Sequence, residues 1–156
     1  MRDYGPAIDI WSIGCIFAEL LSMMKENVKN ARDRRPLFPG KSCYPLSPDK
    51  KNTESRGGFP YSVDDQLSVI FKVIGTPNDE DKSFVANERA LEYLNTFPTQ
   101  EKTNLKNYYP HASPEALDLL SKMIIFNPYF RITIDEALAH PYFESVREPE
   151  FEKIAS

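Results

Sequence analysis

Between Ala7 and Met24 the only charged side chains are Asp9 and Glu19. Ile8, Ile10, Trp11, Ile13, Ile16, Phe17, Leu20 and Leu21 do not confine themselves to one face of a 3.6-residue helix. Gly5-Pro6 opens the segment well, because proline at a first helical turn already has a helical φ. A helix apolar nearly all round is expected to be enclosed by other elements. The uncharged stretches look too short and interrupted for the ~18–20 residues that cross a bilayer. The segment therefore reads as a buried central helix, and any fold for this chain must be built around it.

The rest of the chain is punctuated as further helices. Ser62 is a candidate N-cap with Asp65 three residues on. Leu67, Ile70, Phe71 and Ile74 follow at the spacing of one buried face, and Gly75 with Thr76-Pro77 stops the helix. The charged stretch from Asn78 to Lys82 leads into one or two short helices, the clearer capped by Asn87 and carrying Leu91 and Leu94. Ser113-Pro114-Glu115 opens another helix, with Leu117, Leu120, Met123 and Ile124 on its inner face. Thr133-Ile134-Asp135-Glu136 is a full capping box for the last one, which closes at His140-Pro141. No alternating strand pattern and no internal repeat is visible, so the fold class is all-α. Residues 41–61 are rich in Ser, Pro, Gly, Lys and Asp and read as a long polar loop.

Composition narrows the function classes. A formal net charge of −4 on 156 residues argues against a nucleic-acid partner. Cys15 and Cys43 lack metal-like or redox-like spacing. Cys15 lies in the apolar helix, where a thiol is ordinary packing, and Cys43 lies in a loop. His111 and His140 are too isolated to suggest a metal site or a catalytic base. Arg32-Asp33-Arg34-Arg35 has the charge to bind phosphate, the plainer reading being a solvated loop. Ser47-Pro48 has the form of a proline-directed phosphorylation site or of an ordinary turn. The amino terminus, Arg2-Asp3-Tyr4-Gly5-Pro6, shows no signal-peptide pattern, and an intracellular compartment is expected.

Asp9-Ile10-Trp11-Ser12-Ile13-Gly14-Cys15 resembles the segment that opens the central helix of the protein-kinase C-lobe. Asn127-Pro128-Tyr129-Phe130-Arg131-Ile132-Thr133, followed by Ala137, His140, Pro141 and Tyr142, resembles the segment that closes that lobe. Between them, Pro36-Leu37-Phe38-Pro39-Gly40 and Ile74-Gly75-Thr76-Pro77 are similar to signatures of the branch holding the MAP kinases and cyclin-dependent kinases. Tyr93-Leu94, Phe97-Pro98, Leu105 and Tyr109-Pro110 resemble the MAP-kinase insert. In family order, these segments are far more specific than any one alone. Polar expansions at about 25–35 and 41–61 resemble those of certain protist MAP kinases. The resemblance implies a partial kinase domain over residues 1–144, with the insert at about 78–112 and a tail at 145–156.

The Gly-rich loop, strand lysine, H-R-D, D-F-G and A-P-E segments of a kinase do not occur in the sequence. The resemblance places them before Met1. It follows that this chain carries no catalytic, cofactor-binding or metal residue. ATP and Mg²⁺ would belong to the intact parent, a serine/threonine kinase acting before proline. Support roles carry over residue by residue. Asp9 resembles the aspartate that holds the catalytic-loop backbone. Arg131 resembles the arginine that pairs with the A-P-E glutamate, and Trp11 goes with them. Leu67 and Tyr93 are candidate docking residues, although Val63-Asp64 departs from the aromatic–leucine pair expected beside them. Protein substrates and an upstream activating kinase are the implied partners, with neither nucleic acid nor membrane, in the cytoplasm or nucleus. Because charges without their partners are costly to bury, the chain alone is expected to be marginal, to self-associate, or to leave Asp9 and Arg131 solvated. The competing reading is a non-catalytic C-lobe module that binds protein partners; an unrelated helical scaffold is a weaker one.

Overall fold

A computed structural model describes residues 5–24, 26–40 and 65–148. Within them lie five α-helices: α1 (Pro6–Met23), α2 (Gln66–Ile74), α3 (Glu88–Asn95), α4 (Pro114–Met123) and α5 (Ile134–Leu138). Short 3₁₀ segments cover Ala31–Asp33, Leu105–Asn107 and Pro141–Val146. Among the described residues no strand occurs, as the all-α reading requires. Cys43, Ser47, Ser62, Val63, Asp64 and the whole polar loop at 41–61 lie outside the described residues.

Helix ends follow local chemistry. Asp65, not Ser62, caps α2, its carboxylate accepting from the Leu67 and Ser68 amides. Asn87, Ser113 and Thr133 cap α3, α4 and α5 through side-chain oxygens, and Thr133 with Glu136 closes the capping box in both directions. Gly75 ends α2 at φ 85°, where a Cβ would also lie 3.1 Å from the Lys102 amide nitrogen. The left-handed φ and the close backbone together demand glycine. The charged stretch after Asn78 forms turns rather than a helix, with Asn78 and Asp81 exchanging side-chain-to-amide bonds.

The core is built where α1 meets α4. Gly14 lets the helices approach so closely that a Cβ there would lie 2.9 Å from the Met123 Cβ. Ala18 and Leu21 of α1 join Leu120, Ile124, Val73 and Tyr109 in one buried cluster. Ile10 joins Leu119, Met123 and Ala137 in a second. Phe71 at the centre of α2 is fully buried and packs edge-on against Phe97 and Phe126 in a third. Leu119, which the helical reading left off the inner face of α4, is fully buried as well.

The enclosure of α1 is only partial among the described residues. One stripe is buried, carrying Ile10, Gly14, Ala18 and Leu21. Ile8, Ile13, Ile16, Leu20 and Met23 are between 42% and 61% exposed. Among the described residues, neighbours stand on one side of the helix only, and half of its apolar circumference is used. A second correction concerns composition. With two charges in 18 residues and a mean hydropathy of 1.4, Pro6–Met23 is long and apolar enough to span a membrane. The interrupted reading of the sequence missed this because both acids fall inside an otherwise apolar window. The buried stripe against α4 gives this composition a use inside the bundle.

Candidate functional site

The residues singled out at the two ends of the chain meet at the amino-terminal end of α1. Arg131 leaves the loop between α4 and α5 and reaches across the bundle. Its Nε donates to the Ile125 carbonyl at 3.1 Å, and Nη2 donates to the Ile125 and Phe126 carbonyls at 2.9 and 3.3 Å. Nη1 donates to the Ala7 carbonyl in the first turn of α1. Ile125 and Phe126 directly follow the end of α4, where helix carbonyls carry the negative end of the macrodipole. The guanidinium carbon also lies 5.1 Å from the Trp11 ring centroid, a cation–π distance. Trp11 in turn stacks on Phe38 at 5.4 Å and 13°, tying the loop after α1 to the same spot.

Arg131 is therefore not solvated, contrary to one of the expected outcomes. It is half-buried, and carbonyl oxygens take the place of an acidic partner among the described residues. Burial lowers its pKa from the ordinary arginine value, with a smaller opposing influence from Cys15. The nearby Cys15 thiol is pushed up by burial first and by Glu19 second, while Arg131 pulls it down. A thiol shifted in that direction is a poor nucleophile.

Asp9 behaves in the opposite way. Its carboxylate is exposed in the first turn of α1 and makes no hydrogen bond or ion pair among the described residues. Around it run Ile13, Ile16, Leu20 and Met23, each reached from the one before by three or four residues. Asp9 thus heads an exposed apolar stripe on the face of α1 away from α4.

Leu67 and Tyr93 are brought together by one hydrophobic cluster, with Phe71, Leu94 and Phe97. Leu67 is half-buried. Tyr93 is only 4% exposed and packs edge-on against Phe97 at 5.1 Å. Of the two candidate docking residues, Leu67 is therefore the more open and the Tyr93 ring the more covered. The aromatic spacing shows that Tyr93 faces α2, but not whether anything then covers it.

Sequence reasoning also missed two polar anchors. Asn127 is fully buried, donating to the Glu80 carbonyl and Ser83 Oγ at 3.3 Å each and accepting from the Tyr129 amide at 2.9 Å. His140 is 6% exposed; its Nδ1 accepts from the Tyr142 amide, which leaves Nε2 to donate to Asp118 at 2.8 Å. Asp118 also accepts from Lys122 at 2.6 Å, and these two bonds lower its pKa. The Asn-Pro step and the i, i+4 pair Asp118/Lys122 were the available signals.

The model of the protein kinase domain matches residues 1–143. The chain belongs to the protein kinase family. It is MAP kinase-like: extracellular signal-regulated kinase 1 of Dictyostelium discoideum is 40% identical over 153 residues, which is 98% of this chain and 23% of that protein. Mitogen-activated protein kinase 14 of Arabidopsis thaliana is 36% identical over 148 residues, 95% of this chain and 32% of that protein. Mitogen-activated protein kinase mpk-1 of Caenorhabditis elegans is 39% identical over 148 residues, 95% of this chain and 26% of that protein. The kinase chain thus spans about a quarter to a third of the length of these curated relatives.

The described residues of the kinase chain show neither a metal-binding cluster nor a phosphate-binding loop. Among them no group of three or more His, Cys, Asp or Glu side chains converges on a metal position. Their glycines, at 5, 14, 40 and 75, stand singly and form no phosphate-cradling loop. What these residues do supply is a helical platform, with Arg131 fixing the start of α1 and Asp9 projecting from it.

Proposed function

We propose that this chain is the helical platform of a MAP kinase-like protein that phosphorylates serine or threonine before proline, using ATP and Mg²⁺ held by polypeptide outside these residues. The chain by itself transfers no phosphate. Asp9 carries the reading. An exposed carboxylate with no donor among the described residues, heading a stripe of exposed isoleucine and leucine, is ill suited to a free surface and well suited to a covering segment. That segment would seat its apolar side chains on Ile13, Ile16 and Leu20 and give backbone amides to Asp9. By family resemblance it would be the catalytic loop, which Asp9 would hold in shape without touching the substrate. Protein substrates and an upstream activating kinase follow as partners, within a signalling pathway of the cytoplasm or nucleus.

The test uses the full natural reading frame and this chain in parallel. Transfer of labelled phosphate from ATP to a Ser-Pro peptide is expected from the full protein and absent from the chain. Asp9→Asn in the full protein should lower kcat by about tenfold to a hundredfold while leaving KM for ATP nearly unchanged, as expected when a support shapes the site without binding substrate. Phosphate transfer by the chain alone, or full activity in Asp9→Asn, would overturn the reading.

A further inference from the structure

A second surface lies away from Asp9. The connection after α1, the face of α2 that carries Val69 and Val73, and the tyrosines after the 3₁₀ turn Leu105–Asn107 enclose a groove of about 480 Å³. Val28, Leu37 and Val69 line its floor and Tyr108 its wall, so an apolar side chain fits there. Arg35 and Lys72 stand among its lining residues, and neither is paired with an acid among the described residues. Arg35 Nη1 donates to the carbonyls of Arg32 and Arg34 in its own turn, at 2.8 and 2.9 Å, which holds the side chain in place. Asp33 is the one acid in the lining.

The local charge runs against that of the whole chain. The formal net charge is −4, yet residues 26–40 hold four bases (Lys29, Arg32, Arg34, Arg35) against two acids (Glu26, Asp33). A basic, apolar groove on an acidic molecule selects by charge: acidic ligands approach this face and are repelled elsewhere. Its volume lies within the ~300–1,000 Å³ range of ligand pockets, and its mix of apolar lining with few polar groups is typical of them. We propose that this groove docks an acidic peptide segment of a protein partner. The peptide seats an aliphatic side chain between Leu37, Val69 and Tyr108 and presents carboxylates to Arg35 and Lys72. The groove lies apart from the Asp9 stripe, so the proposal stands or falls independently of catalysis.

The experiment measures binding of the full chain to an array of short acidic peptides, each carrying one leucine, isoleucine or valine. A matched array replaces the acids with lysine. Acidic peptides are expected to bind, with affinity falling as salt shortens the Debye length from ~10 Å at 0.1 M to ~3 Å at 1 M. Lys72→Glu and Arg35→Glu change exposed side chains, leave the fold intact by circular dichroism, and should each weaken binding by about tenfold. Val69→Asn, which removes apolar contact without adding charge, should weaken it whatever the salt. Equal or tighter binding of the lysine array, binding unmoved by the charge reversals, no binding by either array, or occupation of the groove by a second copy of the chain would each overturn the proposal.

Discussion

Gly14→Ala pits two effects of opposite sign against each other at the contact that builds the core. In an isolated helix the change is favourable, because alanine is about 1 kcal/mol better than glycine in a helix interior. Here the new Cβ would meet the Met123 Cβ at 2.9 Å and Ile124 Cγ2 at 3.2 Å. The first contact is with an atom fixed to the backbone of α4, so no rotamer change relieves it, and the helices must separate. Overpacking of that kind typically costs about 1–3 kcal/mol. Separation also loosens Ala18 and Leu120, which lie buried in the same interface. The clash outweighs the propensity gain, and a net loss of about 1 kcal/mol follows. With a slope of about 1–3 kcal/mol per molar urea, the midpoint should fall by roughly 0.3–1 M. Trp11 is the only tryptophan, so its fluorescence reports this half of the molecule. A midpoint that rises in Gly14→Ala would mean that α1 and α4 are not in contact at Gly14, and the packing argument would fail.

Three further outcomes follow from the buried polar groups. The Tyr109 phenol is pushed up to about 12, by burial first and then by Tyr108, Glu19 and Cys15. The folded state therefore keeps its proton where the unfolded chain, with a pKa near ~10, has lost it, and stability should fall as pH rises between ~10 and ~12. At pH ~11 the loss is about 1 kcal/mol; Tyr109→Phe should flatten that part of the urea-midpoint profile, and equal losses in both proteins would refute the assignment. Asn127→Ala leaves the Tyr129 amide and the Glu80 carbonyl short of partners, at a cost of about 2–4 kcal/mol, with faster amide exchange over residues 79–84. Removing that asparagine without loosening these turns would show that it does not hold them. Arg131→Ala should cost about 1.5–3 kcal/mol through its charge-assisted bonds, whereas exposed Asp9→Ala should stay within about 0.5 kcal/mol. Comparable urea midpoints for these two variants would contradict the different environments of the two charges.

Capping chemistry was largely legible in the sequence because it is local. Asn87, Ser113, Thr133 and Gly75 act where their side-chain types say they should. The miss at Asp65 is also local: two good capping residues stand three apart, and the choice between them depends on where the chain enters the helix. Burial was legible only in part, because periodicity shows which face is apolar and not what lies opposite. Tyr93 and Ile16 are both aromatic or aliphatic residues on helices, yet one is covered and the other is open. Arg131 illustrates a third limit. A family motif names a charge and its usual partner, but a guanidinium has five donors, and the carbonyls beyond a helix end satisfy them as well as a carboxylate does.

Arg131 and Asp9 stand at the same turn of the platform yet give the fold very different things. Arg131 faces oxygens that no side-chain substitution removes, since they belong to Ala7, Ile125 and Phe126 backbones. Its hold on the first turn of α1 depends only on the ends of α1 and α4 staying near each other, which the Gly14 contact ensures. Asp9 lies two residues beyond Ala7 in that same turn, so whatever fixes Ala7 also fixes where the Asp9 side chain leaves the helix. A half-buried cation satisfied by main chain, a glycine admitting close helix contact, and an exposed acid with no partner among the described residues form one mechanical sequence. Stability resides in the first two. The third contributes almost nothing to the fold, and under the proposed reading its place at the head of an apolar stripe is that of a group awaiting a covering segment.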